Sequence, residues 1–429
     1  MKKTDLLYQI EETPPLPKAL LLSFQHVFAM FGATILVPIL VGLPVSVALF
    51  CSGIGTIIYL IVTKFKVPVY LGSSFAYIAA MQYAIAALGG DVSASQTGIF
   101  LIGLIYVVIA IVLKVSGTAW LEKLLPPIVI GPMIIVIGLG LSGAAVAQSD
   151  LVAGGDVKNM LVAGVTFLIT ALIATKAKGV FKIIPFLSGI ALGYLFAWAI
   201  GVVNFQPVLD SFKGPLFGHI LSLPKFYLPF NTGGLFNEYK FYFGLETIAI
   251  LPIAIVTISE HIGDHTVLGK ITGRDFLKDP GLDKTLIGDG LATSVSALLG
   301  GPANTTYGEN TGVVGLTKVA STKVILGAAI IAILLGFINP VQALIMSIPS
   351  PVLGGMSLLL YGVIGSNGLR VLVDNQVDFN QQRNLIIASA MMVLGLGGAV
   401  FPISKLASLS GTALAAIVGV LLNLILPKE

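Results

Sequence analysis

Long runs without a single charge dominate this chain. "ALLLSFQHVFAMFGATILVPILVG" covers residues 19–42, and "VILGAAIIAILLGF" covers 324–337. Runs of this kind suit a hydrocarbon layer about 30 Å thick, where a helix satisfies its own backbone donors and acceptors. Only 10% of the 429 residues are charged and 56% are hydrophobic. An average globular chain carries about 25% charge, so this chain cannot keep a soluble surface wet. The unbroken apolar blocks also lack the dyad alternation of a transmembrane barrel. The reading is an all-α polytopic membrane protein. Its single cysteine, Cys51, rules out an intrachain disulfide and a cysteine metal cluster. "MKKTDLLYQIEETPPLPK" at the N-terminus lacks the apolar core of a cleavable signal, so the first span is expected to target the chain.

Apolar windows of about 20 residues give about fourteen transmembrane segments. They lie near 19–42, 44–63, 69–88, 97–113, 124–147, 159–175, 183–203, 241–264, 283–299, 304–317, 323–338, 341–364, 384–400 and 405–426. With both termini cytoplasmic, only Lys158, Lys213, Lys225, Lys240 and Lys405 of the 24 basic residues fall outside. One missed span would scramble that bias, so the rule of positive inner loops favours an even count. The stretch 204–240 has no basic excess but holds Phe205, Phe212, Phe217, Phe226, Tyr227 and Phe230. It is expected to lie along the outer interface.

"LPPIVIGPM" at 125–133 matches "IPSPVLGGM" at 348–356 in Pro126/Pro349, Gly131/Gly354 and Met133/Met356. The interrupted third and tenth segments, "YLGSSFAY" and "TTYGENTG", stand in nearly the same relation. Two halves of seven spans each run in opposite directions. This is the inverted-repeat plan of secondary transporters, with a binding site at the midplane between broken helices. Non-helical backbone at membrane depth survives only where protein buries it or it lines a cavity. Pro302, Asn304, Thr305 and Thr306 read as start signals for a half-helix whose free N–H groups would face an oxygen acceptor. "GSSF" at 72–75 offers the mirror-image donors.

Acidic residues in apolar segments need a reason, since each costs about 2.5–3.5 kcal/mol on insertion scales. Glu260 and Asp264 stand one turn apart in the eighth segment, and Glu309 stands in the tenth. None has a Lys or Arg nearby in its own segment, so a structural ion pair is hard to supply. A proton is then the natural companion, which is what a proton-coupled carrier requires. Glu246 and Asp289 read as equally suited to solvated span ends. His26, beside Gln25, is either a helix-joining hydrogen-bond group or a proton relay. His261 and His265 flank the acidic pair, but neighbouring Glu and His point to different faces of a helix, which argues against a metal site. Phe75 either packs or stacks on a flat ligand. Two carboxylates, backbone donors, an aromatic face and no basic side chain suit a planar neutral heterocycle. They do not suit an inorganic anion. No nucleophile–base pair or metal cluster emerges, so an enzyme is not expected.

"ENTGVVGLTK" (309–318) resembles the signature of the nucleobase–ascorbate transporter family. That signature is an acid or amide, Asn, any residue, Gly, four of any kind, Thr, then a basic residue or Gly. Glu309, Asn310, Gly312, Thr317 and Lys318 fill it. "QH" at 25–26 and "SEHIGD" at 259–264 are similar to the family's first-span and eighth-span motifs. "FQHVFAMFGAT", "YLGSSFAYI", "NTTYGEN" and "LLLYGVIGSNGLRVL" resemble its bacterial, proton-coupled uracil branch.

The resemblance implies fourteen spans in two inverted seven-span repeats, with short antiparallel strands in segments 3 and 10. It implies a core domain from 1–116 and 241–338, and a gate domain from 117–240 and 339–429. Uracil would sit between the broken segments and segment 8. Glu260 and Glu309 would take its ring N–H groups. Backbone donors near Ser74, Phe75 and Gly308 would take its carbonyls. Phe75 and Tyr307 would line the pocket, Tyr361 would close it from the gate, and His26 would support the carboxylates. Some relatives carry His where this chain has Asp264. That leaves the proton carrier open among Glu260, Asp264, His26 and Glu309. The implied partners are uracil, protons, the bilayer and a second copy as a homodimer, with no cofactor and no nucleic acid. The implied location is the bacterial cytoplasmic (inner) membrane. Another nucleobase such as xanthine or guanine, or a channel for small neutral solutes, is the alternative.

Overall fold

The computed structural model describes residues 6–179, 181, 184–402 and 408–427. Lys2, Lys3, Lys182, Lys405 and Lys428, used in sorting charge by side, lie outside the described residues, as do the starts of the segments at 183 and 405.

The first half of the chain forms α1 (Leu16–Val41), α2 (Val45–Val62), β1 (Leu71–Ser73) and, after a tight turn at Phe75–Tyr77, α3 (Ile78–Ala87). There follow α4 (Ser93–Ser116), α5 (Pro127–Gly140), α6 (Val157–Lys176) and α7 (Pro185–Ala199). The second half forms α8 (Ile253–Thr272), α9 (Leu282–Leu298), β2 (Asn304–Thr306), α10 (Gly308–Thr317) and α11 (Thr322–Gly336). It ends in α12 (Ser350–Asp374), α13 (Gln382–Leu396) and α14 (Gly411–Ile425). Among the described residues, seven helices are long and apolar enough to cross a membrane, and five shorter apolar helices accompany them. The chain is a mostly helical, multi-pass membrane protein.

The matched Pro-Gly stretches do the same local job twice. Pro126 and Pro349 are both extended, with φ −70° and −65°, and each precedes a helix with proline in its first turn. Proline serves there because its missing N–H is one the helix would leave unpaired anyway. The two helices so begun, α5 and α12, pack against each other. A Cβ on Gly138 would press on the backbone of Gly365, and one on Gly368 on the backbone of Gly131. Only glycine permits that approach.

Packing sorts the remaining helices. α2 packs on α9 and α11, α4 on α9, and α1 on α11. α6 packs on α7 and α12, α13 on α14, and α5 on α13 and α14.

Three expectations are corrected in position. Residues 302–306 do not start a half-helix: Asn304–Thr306 form β2, and α10 begins only at Gly308. β-Branched Thr305 and Thr306 suit a strand, and pairing with β1 satisfies the backbone groups of Thr305, which stands opposite Gly72. The main helix of the eighth segment lies further along than 241–264, so Asp264 sits in mid-helix. The twelfth helix starts at Ser350, not 341, because Asn339–Met346 makes a separate short helix.

Residues before α1 form a strap along the link from α10 to α11. The Leu7 N–H donates to Lys318 O at 2.7 Å, Ala320 N–H to Tyr8 O at 3.0 Å, and Thr322 N–H to Ile10 O at 3.1 Å. Ile10 is fully buried among Tyr59, Leu268 and Val314. Arg274, just past α8, clasps Glu11 with two bonds of 2.6 and 2.8 Å. That bond holds the Glu11 carboxyl below its usual range. Lys318, the last residue of the signature, sits in the left-handed region with φ 58°.

Candidate functional site

The site is built on two three-residue strands. β1 and β2 pair antiparallel, with Leu71 opposite Thr306, Gly72 opposite Thr305 and Ser73 opposite Asn304. The ladder extends at both ends, from Tyr307 N–H to Tyr70 O at 3.1 Å and from Ser74 N–H to Ala303 O at 2.9 Å. The surrounding helices hold the strands by side-chain bonds. Thr56 of α2 accepts from Leu71 N–H at 2.9 Å. Thr293 and Ser296 of α9 donate to Asn304 O and Pro302 O at 3.2 and 2.6 Å. Asn304 reaches back to Ala292 O at 3.2 Å. Protein thus buries and bonds much of this non-helical backbone, as membrane depth requires.

Three acidic side chains converge beside this pair. Asp264 Oδ2 accepts from the Thr306 hydroxyl at 2.5 Å. Asp264 Oδ1 lies 3.8 Å from where a Cβ on Gly308 would stand. Glu260 stands near Thr305 and the acidic Asp264, Glu309 and Asp289. Glu309, in the first turn of α10, lines a cavity of about 200 Å³ with Phe28, Pro185, Phe186 and Val313. Glu260, Asp264 and Glu309 are all partly exposed, whereas most of their neighbours are buried.

The uncharged candidates surround them. Tyr307 is buried, donates to Ser73 O at 3.0 Å and accepts from the Thr34 hydroxyl at 3.1 Å. Its ring lies against Gly72, where a Cβ would collide with it. Phe75 meets Tyr361 of α12 edge to face, with ring centroids 6.0 Å apart. Ser74 Oγ and Tyr361 OH are buried without a hydrogen-bond partner among the described residues. His26 of α1 is buried and bonds Asn310, the residue after Glu309. The Asn310 amide lies 3.2 Å from His26 Nδ1 and 3.0 Å from its carbonyl.

Ser74, Tyr307 and Gly308 adjoin the strand pair and Asp264 bonds it, while Tyr361 meets Phe75 and His26 meets Asn310. Sequence reasoning missed the Thr306–Asp264 bond, Thr34 and the Asn310–His26 contact. The signature's Asn310 was the available signal for the last. Asp289 is not at a solvated span end: it is fully buried within α9 and paired with His261 at 2.8 Å. Glu246 is also buried, accepting from Tyr242 OH at 3.0 Å. No group of three His, Cys, Asp or Glu that could hold a metal occurs among the described residues.

This arrangement is that of a membrane carrier. Residues 17–404 match the profile of the Permease family labelled Xan_ur_permease, and the chain belongs to that family. It is thus a transporter and not an enzyme. It is 50% identical over 423 residues to a uracil permease of Bacillus caldolyticus, covering 97% of this chain and 94% of that one. A uracil permease of Bacillus subtilis (strain 168) is 50% identical over 415 residues, 95% and 92% of the two chains. One of Escherichia coli (strain K12) is 41% identical over 420 residues, 97% and 93%. Among solved structures, the transmembrane domain of a cyanobacterial bicarbonate transporter, BicA, superposes with TM-score 0.66 at 15% identity, covering 96% of this chain and 98% of that one. SLC26A9 superposes with TM-score 0.69 at 11% identity, covering 96% and 65%. These last two likenesses concern the fold alone.

Proposed function

We propose that this protein imports uracil together with protons across the bacterial cytoplasmic membrane. The observation that carries this reading is the β1–β2 pair, with Tyr307 at its end and Asp264 bonded to Thr306 of β2; in this reading Phe75, Glu260 and Glu309 complete a site around it. Three near-full-length relatives bearing the name uracil permease support the choice of base.

In this reading Glu260 and Glu309 accept the ring N–H groups of uracil. Backbone donors around Ser74, Phe75 and Gly308 meet its carbonyls. Phe75 and Tyr307 line its faces, and Tyr361 covers it from α12. A proton held among Glu260, Asp264, Glu309 and His26 offsets the buried charge. An inward potential contributes about 2.3 kcal/mol per charge per 100 mV, enough to concentrate a neutral solute.

The wider architecture is proposed with it: fourteen spans in two inverted repeats, both termini cytoplasmic, working as a homodimer through the gate. Helices α1–α4 and α8–α11 form the core domain, and α5–α7 and α12–α14 form the gate. The packing supports this division, since α4 on α9 is mirrored by α11 on α2, and α6 on α7 by α13 on α14. Transport is then a shift of the core against the gate, exposing the strand pair to each side in turn.

The test is uptake of labelled uracil into proteoliposomes. Accumulation against a gradient, collapse by a protonophore and loss in Glu260→Gln are expected. Equilibration without accumulation would mark a channel. Stronger competition by xanthine or guanine than by uracil would reassign the base.

A further inference from the structure

The acidic residues of α8 occupy one face; a second polar row runs up another. Thr257, His261 and His265 recur every four residues, so they stack along one side of the helix, and all three are fully or almost fully buried. Each is tied to a different part of the protein. The Thr257 hydroxyl meets that of Tyr77, beside α3, at 2.7 Å, and also that of Tyr106 on α4. His261 Nδ1 lies 2.8 Å from Asp289 Oδ2 on α9. His265 Nε2 lies 2.5 Å from the Tyr59 hydroxyl on α2. The two imidazoles stack with centroids 4.1 Å apart.

The roles within the row follow from its chemistry. His265 Nδ1 is 2.7 Å from the His261 carbonyl. A carbonyl oxygen only accepts, so Nδ1 carries the hydrogen and Nε2 accepts from Tyr59. Apolar side chains would fill the same space at lower desolvation cost. What they would not supply is direction. A carboxyl at the rim of a helix, about 5–6 Å from its axis, moves about 2 Å when the helix turns by about 20°. That displacement breaks a bond of the length seen between Asp264 and Thr306. Ties to three separate helices oppose such a turn, where one tie would act as a pivot.

We propose that Thr257, His261 and His265, with Tyr59 and Asp289, are positioning residues that fix the rotation of α8 and thereby aim Glu260 and Asp264 at the strand pair. The inference rests on the reading that these two carboxyls face the substrate.

The experiment is a double-mutant cycle on the purified full chain. It reads uracil affinity by calorimetry, together with KM and maximal rate in proteoliposomes. Tyr59→Phe and His265→Leu each weaken uracil binding about tenfold, the scale of one lost hydrogen bond. Both together weaken it by the same factor, because they sever one tie. KM rises more than the maximal rate falls. His265→Gln, whose Oε1 still accepts from Tyr59, stays within about threefold of the parent. Unchanged affinity in the single variants, or losses that multiply in the double variant, overturns the proposal. A lowered unfolding midpoint with intact affinity also overturns it, since the row would then only support the fold. Should Tyr59→Phe fail to fold, Thr257→Val decides alone, with a several-fold loss of affinity expected and no loss refuting. A parent protein that binds no uracil would instead sink the functional reading itself.

Discussion

The two broken segments share a backbone plan and divide the chemistry between them. Each runs from a three-residue strand into a ten-residue helix. The first carries Gly72, Ser73, Ser74 and Phe75, without a charge. The second carries Thr306, Tyr307, Glu309 and Asn310. In the first, the strand passes through a tight turn at Phe75–Tyr77 before α3 starts. In the second, the helix starts one residue after the strand and holds Glu309 in its opening turn. The lesson is that symmetry of fold leaves side-chain roles free to diverge. In the function proposed above, one half supplies shape and backbone donors, and the other supplies acceptors and a place for the proton.

The sharpest way to break this comparison is to remove one side chain from each segment. Glu309→Gln is expected to abolish labelled uracil uptake while the protein still reaches the membrane. Ser74→Ala is expected to leave uptake within about threefold, because deleting a buried hydroxyl that lacks a partner costs little. Equal losses would mean that both segments carry chemistry. Next in size is Gly72→Val, whose Cβ meets the Tyr307 ring. Overpacking of this kind costs about 1–3 kcal/mol, read as a lowered unfolding midpoint. Gly308→Ala on the other segment makes only an ordinary contact with Asp264, and its midpoint should match the parent.

Thr306→Val takes the donor from Asp264 and should cost about 1–2 kcal/mol of uracil affinity, measured by calorimetry with the fold intact. The smallest effect belongs to the strap's exposed ion pair, which lies away from both strands. Glu11→Gln should cost under about 1 kcal/mol near neutral pH, since the pair is exposed. Arg274 lowers the folded-state value of Glu11 from 4.5, so its contribution is present above that pH and is lost as pH falls through the lowered value. Parent and variant midpoints should therefore converge in acid.

Much of this was legible in the sequence, for identifiable reasons. Charge-free runs announce spans because the bilayer tolerates little else. Pro126 and Pro349 announce helix starts because proline has few other places in a span. Glu260, Asp264 and Glu309 stand out because nothing apolar surrounds a carboxyl without cause. Other features left no local trace. Three residues are too few for a period-two pattern, so composition marks neither strand, and the expectation of strands came from family resemblance. His261 and Asp289 are 28 residues apart on separate helices, and no spacing rule joins them. Phe75 and Tyr361 meet only because α12 passes the turn before α3.

The strap has a practical consequence. Leu7 and Tyr8 are hydrogen-bonded to Lys318, which closes the signature motif, and Tyr8 also to Ala320 two residues beyond it. Whatever tilts or slides α10 during a transport cycle must drag this N-terminal ribbon along. A fluorophore placed at Tyr8 would therefore act as a remote pointer for α10, readable without touching the strand pair.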